Sequence, residues 1–152
     1  PKMGEMAENV NAKRRAIYLP IDRAALYEMF STFDYVETAN HIEQRPTTTV
    51  PNQALFLMNS NMVHEQARQI VQHLQLANTA VPLEDSATDV ASLFEHLYAR
   101  QPTSDESARA VEFLRASDEL LSSIADLHQR RVQAWAALCR TLIAGNDFVY
   151  VE

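Results

Sequence analysis

The sequence of 152 residues contains only two glycines, Gly4 and Gly145. A typical protein of this length has roughly ten, because glycine makes up about 7% of residues on average. A dinucleotide-binding G-x-G-x-x-G turn, a Walker-type phosphate loop and a G-x-S-x-G nucleophile elbow all need glycines much closer together than these two. β-Hairpins also use glycine for turns of positive φ. The scarcity of glycine therefore excludes these sites and favours a mainly all-α protein.

The composition, with 47% hydrophobic and 22% charged residues, is that of a globular domain of ordinary size. We predict a polar, flexible lead-in over residues 1–15 and a single all-α domain of five or six helices over residues 16–152. Because the sequence begins at Pro1 without an initiator methionine, we expect it to be the C-terminal part of a larger protein.

Prolines and a shift in the apolar pattern set the predicted boundaries in the first half. We expect a helix over residues 22–33 and an irregular strap over residues 34–50, where there is little periodicity. Pro51 fits the first turn of the next helix, with Thr49 as its cap, because proline lacks the amide hydrogen that would be unpaired there. The apolar stripe changes phase at residues 59–61, which predicts two helices meeting at an angle or one kinked helix.

In the second half, residues 90–98 carry the clearest amphipathic pattern, with apolar side chains at helical spacing. Thr103 and Glu106 match a capping box that begins the next helix. No glycine or proline follows until Gly145, and we place a turn at residues 122–126 because a single helix of that length is unusual in a small domain. Gly145 fits the left-handed position that ends a helix.

The C-terminal residues Phe148-Val149-Tyr150-Val151 are too apolar for a solvated tail and too short for a helix. They match Ile17-Tyr18-Leu19 in aromatic and β-branched content, which favours strands. We therefore predict that residues 16–20 are extended and that the two segments pair as a small two-stranded patch.

The charge is acidic and unevenly distributed. Thirteen basic and twenty acidic side chains give a formal net charge of −7, and the excess falls within residues 81–128. Binding to nucleic acid or to an anionic membrane surface needs an exposed basic surface, so both partners are disfavoured. Because no stretch approaches 18 apolar residues, we also expect no membrane insertion by this chain.

We predict neither a catalytic residue nor a metal site nor a bound cofactor in this chain. His64 is followed by glutamate as in the H-E-x-x-H zinc signature, but Arg68 stands where the second histidine should be. Cys139 is the single cysteine, so neither a disulfide within the chain nor a C-x-x-C-H haem attachment can form. In helical register with Trp135, it fits a small buried apolar side chain.

The strap and the helix after it hold the candidate ligand-binding residues, which are Arg45, Thr47, Thr48, Gln53 and Asn59. Their guanidinium, hydroxyl and amide groups could together recognise a polyol or a carboxylate. The alternative is structural, because threonine hydroxyls next to a helix start commonly satisfy backbone groups and cap the helix. The sequence leaves both interpretations open.

Several segments resemble a planctomycete-type C-terminal domain of unknown function, found in large exported proteins that also carry a cytochrome-c-like domain. The resemblance is carried by residues 14–20, 33–34, 45–59, 65–68, 98–106, 135–139 and 148–150, of which Thr48-Thr49-Val50-Pro51 with Gln53-Ala54-Leu55 is the most specific. Residues 41–44 depart from it, because relatives often have a glycine or cysteine just before the position of Arg45. The resemblance implies export by a signal upstream of this fragment, a periplasmic or cell-surface location, and haem c elsewhere in the full-length protein. It supplies no catalytic residues.

We therefore expect a non-catalytic binding or assembly module of a larger exported protein, linked to polysaccharide recognition or breakdown. Its expected partners are the upstream domains of the same polypeptide and a carbohydrate ligand. Two alternatives stay open, a part of an enzyme whose site is completed by upstream residues and a structural C-terminal cap. The enzyme alternative predicts a sizeable exposed apolar patch where the missing part packs.

Overall fold

The computed structural model describes residues 16–18, 28–33 and 51–149, and every regular element in these ranges is helical. The α-helices are α1 (Glu28–Thr32), α2 (Pro51–Asn59), α3 (Asn61–His73), α4 (Ala87–Tyr98), α5 (Ser104–Leu120), α6 (Leu127–Ile143) and α7 (Asn146–Val149), with 3₁₀ turns at Ala16–Tyr18 and Leu83–Asp85. The all-α prediction is confirmed. The predicted lead-in, the strap over residues 34–50 and the cap at Thr49 lie outside the described residues.

The chain divides into two compact units, residues 1–56 and 57–152. In the first unit, the end of α1 lies against the start of α2. The side-chain amide of Gln53 donates to the backbone carbonyl of Thr32 at 3.1 Å, and the rings of Phe33 and Phe56 meet edge to face at 5.8 Å. Phe33 also donates its backbone amide to the Met29 carbonyl, which places the end of α1 where the sequence predicts it.

The core of the second unit is built around α6. This helix packs against α3, α4, α5 and α7, and its contact with α3 is the most extensive. Trp135 and Cys139 of α6 are fully buried, together with Val71 of α3 and Leu114 of α5. A fully buried side chain of this kind contributes about 1.5–3 kcal/mol relative to an exposed one. The predicted burial of Cys139 is confirmed.

The two helix breaks predicted from local pattern are present. Ser60 has an extended backbone (φ −65°, ψ 127°) and separates α2 from α3, so the phase change marks two helices rather than one kinked helix. Residues 121–126 separate α5 from α6. Asp126 begins α6, because its carboxylate accepts hydrogen bonds from the backbone amides of His128 and Gln129.

The capping box at the start of α5 is confirmed. Thr103 Oγ1 accepts from the backbone amide of Glu106 at 3.3 Å, and the Glu106 carboxylate accepts from the Thr103 amide at 2.8 Å. Two amides that have no partner within the helix are thereby satisfied.

The two-stranded patch is wrong for the residues that the structure describes. Residues 16–18 form a 3₁₀ turn rather than an extended segment, and Asn146–Val149 forms the single helical turn α7. The amides of Phe148 and Val149 both donate to the Gly145 carbonyl, so local hydrogen bonds satisfy this backbone without a strand partner. Leu19, Tyr150 and Val151 lie outside the described residues.

The prediction of a left-handed Gly145 is also wrong, because no described glycine has positive φ. Gly145 is needed for space instead. A Cβ there would lie 3.1 Å from the Leu142 carbonyl oxygen and 3.2 Å from the Tyr98 hydroxyl. The left-handed positions belong to Gln75 (φ 55°) after α3 and to Ala99 (φ 53°) after α4.

Each of these two residues ends its helix. After α3, the Leu76 amide donates to the Val71 carbonyl and the Gln75 amide donates to the Gln72 carbonyl, the two hydrogen bonds of a Schellman motif. After α4, the Ala99 amide donates to the Glu95 carbonyl. A left-handed backbone costs a residue with a Cβ roughly 1–2 kcal/mol. Glycine would therefore fit these two positions better than Gln75 and Ala99 do.

We predict that Ala99→Gly raises the free energy of unfolding by about 1 kcal/mol, because glycine adopts positive φ without the Cβ clash. The matched control is Ala108→Gly at an exposed position inside α5, where glycine should lower it by about 1 kcal/mol. Urea unfolding of the three proteins measures both changes. Equal destabilisation by the two substitutions would contradict the left-handed assignment of Ala99.

Candidate functional site

Of the five residues predicted to bind a ligand, the structure describes only Gln53 and Asn59. Arg45, Thr47 and Thr48 lie outside the described residues. Gln53 is buried, and its amide is engaged with the Thr32 carbonyl, which favours a structural role for this residue. Asn59 is exposed at the end of α2. Ligand binding by this set stays a prediction.

Within residues 16–18, 28–33 and 51–149, no group of three or more histidine, cysteine, aspartate or glutamate side chains could hold a metal ion. The rings of His73 and His96 lie 6.1 Å apart and have no third ligand of this kind in that part of the chain. Burial raises the pKa of the Cys139 thiol to about 12, so the thiol stays protonated at neutral pH and is a poor nucleophile.

A charged junction joins the end of α4 to α5 and α7. Arg100 donates to both carboxylate oxygens of Glu106, from Nη1 to Oε2 at 2.9 Å and from Nη2 to Oε1 at 2.7 Å. Its Nη2 also donates to Asp147 Oδ2 at 2.7 Å. The same guanidinium lies 5.6 Å from the ring centre of Phe94 and 5.4 Å from that of Tyr98. We call these five residues the Arg100 junction.

The Tyr98 hydroxyl extends the Arg100 junction to α6. It donates to the Leu142 carbonyl at 2.8 Å, and Gly145 leaves the space in which this contact is made. Burial, and secondly the charge of Asp147, raise the pKa of Tyr98 to about 12. The hydroxyl therefore remains a hydrogen-bond donor throughout the neutral range.

The side chains of the Arg100 junction contact one another, and this favours a structural role. Hydrogen bonding to Glu106, and then to Asp147, raises the pKa of Arg100. The sequence points to Tyr98, Arg100 and Glu106 through the resemblance and the capping box, but it does not show Asp147, which is 47 residues away from Arg100.

We predict that the ion pair with Arg100 makes stability depend on pH in the acid range. The hydrogen bond from Arg100 lowers the pKa of Glu106 to about 2, from an ordinary value of 4.5. A lowered pKa stabilises the fold above the unfolded-state pKa, and this contribution is lost as the pH falls from about 4.5 towards 2. Urea unfolding between pH 7 and pH 2.5 should show a smaller loss of stability in Glu106→Gln than in the unchanged protein.

The control for this prediction is Glu112→Gln, at an exposed position of the same helix. It should follow the unchanged protein across the acid range. If Glu106→Gln lost stability as steeply as the unchanged protein, the Arg100 pair would not be the source of the pH dependence.

A second feature is a cleft between the C-terminal end of α3 and the first turns of α6, with a volume of about 470 Å³. Its lining combines amide and hydroxyl groups and one imidazole with apolar side chains, and it holds no carboxylate, lysine or arginine. The lining residues are Val71, Gln72, Gln75, Ala77, Asn78, Thr79, His128 and Val132. We call this the α3–α6 cleft.

The end of α3 positions the amides of the α3–α6 cleft. The left-handed backbone of Gln75 turns the chain out of the helix, and Leu76 and Ala77 are buried immediately after it. Asn78 Oδ1 accepts from the Ala80 amide at 3.0 Å, which leaves the Asn78 NH₂ group able to donate. Sequence reasoning missed this cleft, although residues 72–81 contain four amide or hydroxyl side chains and no lysine, arginine, aspartate or glutamate, in an acidic chain.

Large apolar side chains are exposed at several places in the second unit. Met58 and Met62 are 57% and 39% exposed on either side of the break at Ser60, Leu120 is 83% exposed at the end of α5, and Leu127 and Phe148 are each 41% exposed. The described surface is therefore not uniformly polar. Exposed apolar side chains of this kind are expected where another part of a longer polypeptide packs against this one.

No helix in the described ranges combines the length and the apolar character needed to cross a membrane. The family model described as "PSD1: Protein of unknown function (DUF1553)" matches residues 2–114 and so ends within α5. No curated protein and no solved structure matches the chain.

Proposed function

The chain belongs to this family of proteins of unknown function, and we propose that it is a non-catalytic binding module of a larger protein. Its ligand is neutral and polar, of the kind that a segment of polysaccharide presents. The observation that supports this proposal is the lining of the α3–α6 cleft, where amide and hydroxyl groups lie beside apolar side chains.

The chemistry of the cleft suits a polyol. A sugar hydroxyl both donates and accepts hydrogen bonds, and the amides of Gln72, Gln75 and Asn78 offer both kinds of group. The half-buried apolar side chain of Val132 in the lining suits the C–H face of a sugar ring. Since the lining holds no carboxylate, ammonium or guanidinium group, a neutral ligand enters without desolvating a charge.

The size of the cleft fits the same class of ligand. Pockets that bind small molecules usually have volumes of about 300–1,000 Å³, and the cleft has about 470 Å³. Gln75 is held in a sparsely populated backbone conformation at its edge, and such residues are concentrated at ligand sites.

The wider context of the proposal comes from the resemblance. We propose that the full-length protein is exported to the periplasm or cell surface of a bacterium with a planctomycete-like cell plan and carries haem c in another domain. The upstream domains of the same polypeptide are its proposed partners. A separate ligand site at Arg45, Thr47, Thr48, Gln53 and Asn59 is the alternative location for this binding.

A second candidate is that the chain completes an active site together with upstream domains. The exposed side chains of Met58, Met62 and Leu120 favour it, because apolar groups of this size are the ones that a neighbouring domain covers. The two candidates differ in what the chain does alone: only the binding module takes a ligand without its upstream partners.

We predict that neutral oligosaccharides bind this chain through the α3–α6 cleft. Isothermal titration calorimetry with a panel of such oligosaccharides should identify one that binds. The double variant Gln72→Ala/Asn78→Ala should then bind at least 10-fold more weakly, because two hydrogen bonds of about 1 kcal/mol each are lost. Gln66→Ala, an exposed glutamine of α3 outside the cleft, is the matched control and should bind normally.

Two other outcomes are informative. If Arg45→Ala or Thr47→Ala removes binding while the cleft variant retains it, the ligand site lies on the strap. If no oligosaccharide binds this chain but one binds the full-length protein, the binding-module proposal is overturned in favour of a site completed by upstream residues.

A further inference from the structure

An arginine and a histidine meet at the opposite end of the α3–α6 helix pair from the cleft. Arg140 lies in the last turn of α6, and its Nη1 lies 3.3 Å from Nδ1 of His64 on α3. Arg68 follows His64 by four residues and so shares its face of α3, and its charge lowers the pKa of Arg140. We call these three residues the arginine pair site.

His64 lies between two hydrogen-bond partners. Nε2 lies 3.0 Å from the Met58 carbonyl oxygen, which can only accept. Nδ1 lies 3.3 Å from Nη1 of Arg140, and a guanidinium can only donate, so Nδ1 is the acceptor in this contact. The imidazole therefore orients Arg140 without neutralising its charge.

The positive charge at the arginine pair site is poorly balanced. In residues 16–18, 28–33 and 51–149, no carboxylate lies within 4.0 Å of Arg140, whereas each of the six other arginines in these ranges has a carboxylate within that distance. Arg68 has only Glu65, at 3.8 Å, with both side chains more than half exposed. Partial burial, followed by the charge of Arg68, lowers the pKa of Arg140.

The position of Arg140 at the end of α6 accounts for part of this arrangement, because a cation in the last turn interacts favourably with the helix dipole. The dipole does not account for the second arginine, one turn from His64 on α3. Two positive charges near one another in a protein of net charge −7 are both stabilised by an anion that reaches them.

We propose that Arg68 and Arg140, with His64 holding Arg140 in place, bind an oxyanion, either free or as a group on a larger ligand. The guanidinium fork offers two parallel N–H donors, which match the paired oxygens of a sulfate, phosphate or carboxylate. Arg140 has one described hydrogen bond, to His64, and so keeps most of its five donors for the anion. This site is separate from the α3–α6 cleft and does not depend on the function proposed for it.

The test is an NMR titration of the chain with sodium sulfate, sodium phosphate or sodium acetate, each at an ionic strength held constant with sodium chloride. We expect saturable shifts of the His64 ring and of the Arg140 side-chain signals with at least one of these anions. The order of affinity among the three distinguishes a tetrahedral anion from a carboxylate. Shifts that never saturate, or that chloride alone reproduces, would overturn the proposal.

Variants assign the binding to the arginine pair site. Arg68→Gln, at an exposed position that the fold does not require, should weaken binding at least 10-fold, and so should Arg140→Gln. Arg115→Gln on α5, an exposed arginine paired loosely with Glu84 at 3.9 Å, is the matched control and should bind as the unchanged protein does. Equal affinity in Arg68→Gln and Arg115→Gln would show that the anion binds elsewhere.

Discussion

One guanidinium group, that of Arg100, joins the end of α4 to the start of α5 and to α7. It holds both oxygens of Glu106 and one oxygen of Asp147, and it lies against the rings of Phe94 and Tyr98. A single exposed ion pair contributes only about 0–1 kcal/mol, but a bidentate pair within a network is more effective. The apolar core around α6 supplies most of the stability, whereas the Arg100 junction sets where α5 begins and where the chain turns after α6.

The features that the sequence predicts correctly are the ones decided by neighbouring residues. The capping box needs only Thr103 and Glu106, and the turn before α6 needs only the weak helical pattern up to Asp126. Gly145 shows the limit of such reasoning. Local rules assign it a left-handed backbone, but its role is to make room for the hydroxyl of Tyr98, a residue of another helix. The pairing of Arg100 with Asp147 and the walls of the α3–α6 cleft likewise join residues far apart in the chain, so their formation depends on how the helices pack.

The two proposed sites lie at opposite ends of the same helix pair and differ in charge. The α3–α6 cleft is neutral, whereas the arginine pair site is positive, and each takes residues from both α3 and α6. The family match includes α3 but ends within α5, so His128 and Arg140 lie beyond it. Both proposals therefore concern surfaces that this chain completes with residues outside the matched region.

The most direct test of the role of Arg100 is amide hydrogen exchange in Arg100→Ala, with Arg109→Ala as the control. Arg109 forms an exposed pair with Asp105 on α5 alone, so its loss should change little. If the Arg100 junction holds the C-terminal turn, the amides of Phe148 and Val149 should exchange at least 10-fold faster in Arg100→Ala, while the amides of α6 around Trp135 keep their protection. Unchanged exchange at Phe148 and Val149, or an equal loss of protection throughout the unit, would contradict this account.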